Sequence, residues 1–299
     1  MSVRLQEAKR AVKTGVEALL RPFEARCYVA DSAGVEHAPV FIVGPPRTGS
    51  TLLYQLLVRR YRCCYFSNLL NAFPRTPLAL ATLCKPFGGF DAAGDFSSDY
   101  GNTSGWRAPS QGRELWATFL PESPNALQPD AVSEEVKRRI EASVRALQRV
   151  CRRPFVNKWP PNSVRVRLLA EIFPDALFIR ISRATAPTVS SILSGRRDLC
   201  QRGSGWFSVK PPGYERIMQE RCPEEQAAWQ IAAIERAIDC DREAVGAQQF
   251  FRVHYEQLTS RPRQVLDAIA AFYERATGLA LEPRCEVPAE FAQGRRRTG

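Results

Sequence analysis

Residues 39–51 of the chain read Pro-Val-Phe-Ile-Val-Gly-Pro-Pro-Arg-Thr-Gly-Ser-Thr. The first five residues are mostly apolar and β-branched, which predicts a short strand that is buried on both faces. Glycine and proline then interrupt the pattern, and apolar positions return at helical spacing in Leu52, Leu53, Leu56 and Leu57. The stretch therefore predicts a strand, a glycine-containing loop and a helix in direct succession.

The rest of the chain repeats this alternation of strands and helices. Short apolar runs predict further strands at 154–158, 176–182 and 250–254. Helical spacing predicts helices at 51–61, 133–150 (with Ser133 as N-cap), 164–173, 186–193, 224–244 and 265–275. This order predicts a single α/β domain of the P-loop type, in which a parallel sheet carries helices on both faces.

Two stretches interrupt the alternation. Residues 85–130 combine six glycines with serine, aspartate, proline and aromatic residues, and 203–214 is the second irregular stretch. We expect both to be insertions that bind an acceptor, with the first acting as a lid, because binding residues often lie on such loops. Before the domain at 39–299, the segment 1–38 contains a basic amphipathic helix over 4–23, which we expect to pack on the domain.

Charge and composition limit the classes of partner. The chain of 299 residues has 42 Lys and Arg against 31 Asp and Glu, a net charge of +11, which favours an anionic partner. Helix-turn-helix and zinc-finger spacings are absent and the basic residues are spread out, so we expect no nucleic-acid partner. The sequence does not indicate an oligomeric state.

The cysteines and the apolar runs bear on location. Nine cysteines without a CxxC pair, together with two histidines, predict reduced thiols and no metal site. We find no signal-peptide pattern and no apolar run long enough to span a bilayer, which predicts a cytoplasmic protein. Contact of the N-terminal helix with a membrane surface is the alternative to its packing on the domain.

The loop after the first strand predicts phosphate binding. Backbone N–H groups at the start of the following helix attract anions, Ser50 and Thr51 add hydroxyl donors, and Arg47 adds a positive charge. In the loop of nucleoside triphosphatases, GxxxxGK[ST], a lysine stands where this chain has Ser50. The strand at 176–182 also ends in Ser-Arg and lacks the aspartate that would bind magnesium. A P-loop kinase is therefore the weaker alternative, and a tight glycine turn without function is the other.

The loop resembles the 5′-phosphosulfate loop of sulfotransferases that use 3′-phosphoadenosine 5′-phosphosulfate (PAPS). Their pattern is P-[KR]-[ST]-G-[ST]-[ST], and the chain reads Pro46-Arg47-Thr48-Gly49-Ser50-Thr51. The resemblance spans residues 39–272 and is closest to the broad bacterial and carbohydrate-type branch. It implies PAPS as sulfuryl donor, 3′,5′-adenosine bisphosphate as product, and the six loop residues as donor ligands, with Arg47 also catalytic and with no metal.

The same family carries a 3′-phosphate motif, an arginine at a strand end followed eight residues later by a serine. Arg183 and Ser191 match this motif in order and spacing. Arg183 offers a planar fork to a phosphate, and Ser191 donates from the next helix. The late basic segment 293–297 resembles the one that closes over the 3′-phosphate, which implies a role for Arg295; a solvated tail is the other interpretation.

A third segment of the family, Lys-Thr-His before the 3′-phosphate motif, provides a lysine and the catalytic base. Lys158 matches the lysine, but Pro160 occupies the histidine position. A carboxylate is the natural substitute, and we predict Glu114 as the base. Its competitors are Asp95, Asp99 and Glu122, and an exposed ion pair between Glu114 and Arg113 is the structural alternative.

The acceptor side is less determined. Aromatic residues alternate with arginine over 96–116, and Trp206, Phe207 and Lys210 form a similar group. These side chains suit a glycan or glycoconjugate hydroxyl, with a small-molecule or natural-product acceptor and a non-enzymatic nucleotide-binding module as alternatives. Leu52 stands where the family often has the tryptophan that stacks on adenine. We expect His254 to be a core or capping residue.

Overall fold

Four strands form one parallel sheet in the order β2-β1-β3-β4. The computed structural model describes residues 3–29, 37–88, 90, 96–199 and 205–291. The strands are β1 Val40–Val43, β2 Val156–Asn157, β3 Leu177–Ser182 and β4 Phe250–His254. All four residues of β1 are buried, as a central strand covered on both faces requires. The predicted α/β fold with a parallel sheet is confirmed.

The helices cover the sheet and fill the connections. They are α1 Val3–Val29, α2 Ser50–Arg60, α3 Asn68–Ala72, α4 Pro77–Cys84, α5 Arg113–Trp116, α6 Glu134–Cys151, α7 Val166–Ile172, α8 Thr185–Leu199, α9 Tyr214–Glu220, α10 Pro223–Val245, α11 Tyr255–Ser260 and α12 Pro262–Thr277. Short 3₁₀ helices lie at 85–87, 129–131, 160–164 and 247–249.

Local sequence signals explain most of these boundaries. The Ser133 hydroxyl accepts a hydrogen bond from the Val136 N–H, which makes Ser133 the N-cap of α6 as predicted. Helices α3, α4 and α9 are absent from the sequence prediction because each has only five to eight residues. Strand β2 is also shorter than the predicted 154–158, since a 3₁₀ helix begins at Pro160, directly after Trp159.

An aromatic cluster anchors the sheet. The Phe41 ring lies 5.8 to 6.2 Å from the rings of Phe155, Phe173 and Phe178, and Phe250 stacks on Phe178 at 5.0 Å. Such pairs contribute roughly 0.5–1.5 kcal/mol each beyond their buried area. The cluster links β1 to β3 and β4 and to Phe155, the residue directly before β2.

The irregular segments are tied to the domain by buried polar groups. The Arg165 guanidinium is buried and donates to the carbonyl oxygens of Asn125, Pro121 and Pro124 at 2.5, 3.0 and 3.2 Å. The Asn125 side chain then accepts from the Lys210 N–H at 2.6 Å. Residues 96–128 and 205–213, which we call the acceptor-side segments, are joined in this way.

Candidate active site

The order of the strands creates a crevice at one edge of the sheet. The chain passes from β1 to β2 on one side and then returns past β1 to β3 on the other. In open parallel sheets, ligands bind outside the carboxyl ends of the strands at such a switch point. The loop after β1 and the residues that follow β3 both lie there.

Two glycines determine the path of the loop after β1. A Cβ atom on Gly44 would collide with the carbonyl oxygen of Ile181 in β3, so the backbones approach more closely than any side chain permits. Gly49 has a φ of +88° at the start of α2, and a Cβ there would collide with the ring of Tyr255. Both positions therefore require glycine.

Hydrogen bonds fix the same loop. The Ser163 hydroxyl accepts from the Gly44 N–H and donates to the Gly44 carbonyl oxygen, each at 3.0 Å. The buried Thr48 hydroxyl donates to the Pro45 carbonyl oxygen at 2.8 Å. Within the described residues no side chain caps the start of α2, so its first N–H groups are oriented for an anion.

Arg47 joins the loop to the elements that follow β3. Its Nε donates to the Ser191 hydroxyl on α8 at 2.8 Å, and Arg183 Nη1 donates to the Arg47 carbonyl oxygen at 3.3 Å. Residues that lie more than 130 positions apart are therefore in direct contact. Arg47, Arg183 and Ser191, which the sequence places in two separate motifs, form one continuous basic cluster.

Lys158 approaches this cluster from the end of β2. Its side chain is buried, and the pKa of its amine is lowered to about 7 by that burial and by the charge of Arg47. A Cβ on Gly101 would lie 3.5 Å from Lys158 Nζ and would collide with the side-chain amide of Gln111. The backbone of Gly101 and the side chains of Gln111 and Lys158 therefore lie close together. Burial and the charge of Arg183 likewise lower the pKa of Arg47, and a bound anion would relieve this repulsion.

The six loop residues of the sequence motif differ in exposure. Pro46, Thr48 and Ser50 are buried, whereas Arg47, Gly49 and Thr51 are partly exposed. Arg295 lies outside the described residues.

The structure does not bring Glu114 to Arg47 or Lys158. Trp116, two positions later on α5, is buried and donates to the Asn157 side chain at 3.2 Å. Positions two apart on a helix point to nearly opposite sides, and Glu114 is accordingly exposed, with its N–H bound to the Asn71 side chain. The sequence alone does not show which side of this short helix faces the sheet, and the role of Glu114 as base remains a prediction.

The competing carboxylates occupy different surroundings. Glu122 receives two hydrogen bonds from Arg113, at 2.6 and 2.9 Å, and this pairing lowers the pKa of Glu122. Arg113 is thus paired with Glu122 rather than with Glu114. Asp95 lies outside the described residues. Asp99 begins a turn closed by backbone hydrogen bonds to Asn102, and its charge raises the pKa of Arg47.

Two tyrosines complete the basic cluster, and the sequence analysis assigned neither to it. The Arg47 guanidinium lies 4.8 Å from the centre of the Tyr100 ring, and the Tyr100 hydroxyl donates to Asp198 on α8. The Arg183 guanidinium lies 4.3 Å from the centre of the Tyr255 ring. Tyr255 begins a Tyr-Glu-Gln-Leu segment, and Tyr100 lies in the stretch 96–116 where aromatic residues alternate with arginine. Neither pattern indicates a contact with an arginine of the cluster.

Other expectations concern histidine, metals and membranes. His254 is exposed and shares a hydrogen bond with Ser182 at 3.2 Å, so it is not a core residue. In the described ranges, three or more His, Cys, Asp or Glu side chains never gather closely enough to hold a metal ion. Across the same ranges, none of the helices combines the length and the apolar character needed to cross a bilayer.

Comparison with solved structures identifies the fold. Sulfotransferase STF9 from Mycobacterium avium superposes with a TM-score of 0.53 and 20% identity, over 89% of this chain and 72% of that one. Sulfotransferase STF1 from Mycobacterium tuberculosis H37Rv gives 0.49 and 17%, over 94% and 78%. The sulfotransferase domain of the curacin biosynthetic pathway gives 0.46 and 19%, over 79% and 74%. At 20% identity the likeness to STF9 concerns the fold alone.

Sequence comparison identifies the family. A search of curated protein sequences finds no match. The sequence profile described as "Sulfotransferase family", however, matches residues 39–277, which include β1, the phosphate loop, β3 and the basic cluster. The chain belongs to the sulfotransferase family.

Proposed function

We propose that this sulfotransferase takes the sulfuryl group from PAPS, transfers it to a hydroxyl of a separate acceptor and releases 3′,5′-adenosine bisphosphate. One observation carries the proposal. Arg47, from the loop after β1, bonds directly to Ser191, and Arg183 bonds to the Arg47 carbonyl oxygen. A single ligand with phosphates at both ends can bridge such a continuous basic cluster, whereas ATP has no phosphate at its 3′ position.

The residues divide into two groups by the part of the donor they would hold. The loop N–H groups, with Ser50 and Thr51, suit the 5′-phosphosulfate, and Arg183 with Ser191 suits the 3′-phosphate. Arg47 bonds to Ser191 of the second group, and its charge acts on the amine of Lys158. Donor binding would draw a proton onto Lys158, whose charge then stabilises the oxygen that leaves the sulfur.

Transfer requires a base for the acceptor proton, and we propose Asp99. The acceptor oxygen forms a bond to sulfur while the bond from sulfur to the phosphate oxygen breaks, and the hydroxyl proton passes to the carboxylate. Asp99 supports this role better than Glu114, because its charge acts on Arg47 and its turn carries Tyr100 and Gly101 to the cluster.

For the acceptor we propose a glycan or glycoconjugate. Trp106 is exposed, with the Arg107 guanidinium 4.5 Å from the centre of its ring. An open aromatic face beside a cation suits a sugar ring that carries an anionic group. Labelled PAPS with a panel of glycans and natural-product hydroxyls tests this choice. Transfer to the natural-product hydroxyls alone would reassign the acceptor and leave the donor assignment intact.

The affinities of the unaltered protein and of one variant for two adenosine nucleotides test the donor assignment. Calorimetric titration of the unaltered protein should show 3′,5′-adenosine bisphosphate binding about 10- to 100-fold more tightly than 5′-AMP, because charge-assisted hydrogen bonds to the 3′-phosphate are worth roughly 1.5–3 kcal/mol. Arg183→Ala should remove this preference and leave the affinity for 5′-AMP unchanged. Tighter binding of MgATP, with turnover, would instead support a kinase.

A further inference from the structure

Two acidic side chains of helix α1, those of Glu17 and Glu24, point inward. The Glu24 carboxylate is buried and accepts hydrogen bonds from the N–H groups of Leu78 and Ala79, at 3.2 and 2.8 Å, in the first turn of α4. The Glu17 carboxylate is also buried and accepts from the Arg75 N–H at 3.3 Å. Both glutamates therefore serve the attachment of α1 to the domain and contribute no negative charge to its outer surface.

The outer side of α1 is apolar. Val12, Leu19 and Phe23 are 65%, 73% and 54% exposed, and their spacing of seven and four residues places them along one side of the helix. Small apolar residues with exposed side chains flank them: Ala11, Ala18, Pro22 and Ala25. Large apolar side chains such as Leu19 and Phe23 are normally buried, so a stripe of them that is exposed on one side of a helix indicates an interaction surface. We call these residues the outer stripe.

The charges beside the outer stripe are basic. From Ala11 to Tyr28, the exposed charged side chains are Arg21 and Arg26, since both glutamates are buried. The whole helix contains six basic and three acidic residues. The described outer surface of α1 therefore combines apolar and basic side chains, while Glu17 and Glu24 are buried on the other side. This composition is typical of a helix that lies in the headgroup region of an anionic bilayer.

A neighbouring element extends the apolar surface. Helix α4 packs beside α1, with Cys27 Sγ 3.7 Å from Thr82 Oγ1. Beyond this contact, Leu83 and Phe87 are 55% and 73% exposed. Six of the nine large apolar side chains that are exposed in the described residues therefore belong to α1, the end of α4 and the 3₁₀ helix after it.

We propose that the outer stripe docks this sulfotransferase on an anionic lipid surface. Charge decides between a membrane and a second copy of the chain. Two copies that met through this stripe would bring Arg21 and Arg26 of each toward the other in a chain with a net charge of +11. An anionic bilayer attracts the same charges, at roughly 1 kcal/mol for each arginine near the surface.

Sedimentation with vesicles tests the proposal without reference to catalysis. The full chain should bind vesicles of phosphatidylglycerol and phosphatidylcholine in equal parts, should bind less at high salt, and should bind vesicles of phosphatidylcholine alone weakly. The double substitution Leu19→Glu with Phe23→Glu should lower the affinity at least about tenfold. The control Met218→Glu, at an exposed apolar residue of α9, should leave binding unchanged.

Three results would overturn the proposal. In the first, the unaltered protein does not bind anionic vesicles; in the second, the double variant binds them as tightly as the unaltered protein. In the third, light scattering without lipid would show a dimer that the double variant dissociates, which assigns the stripe to a second copy. If the double variant unfolds, Arg21→Gln with Arg26→Gln should still abolish the salt-dependent part of the binding. Donor binding should be unaffected throughout, so failure here is distinguishable from failure of the proposed function.

Discussion

The donor side and the acceptor side of the crevice are held in different ways. On the donor side, the loop after β1 is held against the sheet, because Gly44 packs on Ile181 of the paired strand β3 and its N–H bonds to Ser163. On the acceptor side, residues 96–128 and 205–213 are irregular and are joined by side chains, since Arg165 holds three carbonyl oxygens and Asn125 holds Lys210. Donor binding should therefore depend on the paired strands of the sheet, and acceptor binding on side-chain contacts between irregular segments.

Removal of Arg47 should produce the largest effect, because this residue joins both phosphate-binding groups. Arg47→Ala should lower kcat/KM for PAPS by about a thousandfold or more, as loss of a guanidinium that stabilises developing charge does in phosphoryl transfer. Steady-state kinetics checks this. Arg113→Ala, at an exposed arginine paired with Glu122, is the control and should stay near the normal rate. A loss below tenfold in Arg47→Ala would remove this residue from the centre of the site.

The carboxylates of the acceptor side offer the next test. Asp99→Asn should lower kcat by roughly a hundredfold or more, which is the usual contribution of a general base, with the affinity for 3′,5′-adenosine bisphosphate unchanged. Glu114→Gln is the matched control and should retain near-normal turnover. Glu114 lies on the side of α5 opposite Trp116, whose indole contacts Asn157 directly before Lys158. The opposite outcome, an inactive Glu114→Gln with an active Asp99→Asn, would restore Glu114 as the base.

The pH dependence separates Lys158 from its arginine neighbours. The pKa of the Lys158 amine is about 7, so the free protein carries this charge below pH 7 and loses it above. We expect kcat/KM for PAPS, which reports the free enzyme, to fall up to about tenfold per pH unit above pH 7. Lys158→Arg should flatten this limb, because arginine stays protonated. An unchanged profile in Lys158→Arg would assign the pH dependence to another group.

Loss of the link between the two acceptor-side segments should have the smallest effect on catalysis. Asn125→Ala removes the acceptor of the Lys210 N–H and a donor to the Glu122 carbonyl oxygen. We expect KM for the acceptor to rise about tenfold, which corresponds to roughly 1.4 kcal/mol, while KM for PAPS stays constant. A change of the same size in KM for PAPS would show that donor binding and acceptor binding depend on the same contacts.

Local patterns explain what the sequence predicted correctly. The apolar residues of β1 and β3 specify buried strands without reference to distant contacts, and these strands appear as expected. Arg47 lies in the loop after β1, and Arg183 and Ser191 lie in and after the turn that follows β3. The parallel pairing of these two strands is enough to bring the three residues together.

The acceptor side was less predictable because its residues are placed by distant partners. Tyr100 is held beside Arg47 by residues that follow much later in the chain, since its hydroxyl bonds to Asp198 on α8 and its ring packs on Phe207. The orientation of Glu114 depends on the side of α5 that Trp116 buries against Asn157. Neither contact leaves a pattern at fixed sequence spacing, so the sequence does not show which acceptor-side carboxylate lies nearest the basic cluster.

A crystal structure of the protein with 3′,5′-adenosine bisphosphate tests the shared phosphate crevice most directly. We expect one nucleotide across the ends of β1 and β3, with its 5′-phosphate on the N–H groups of the 44–51 loop and its 3′-phosphate in contact with Arg183 and Ser191. A nucleotide whose 3′-phosphate points to solvent, or which binds away from Arg47, would contradict it.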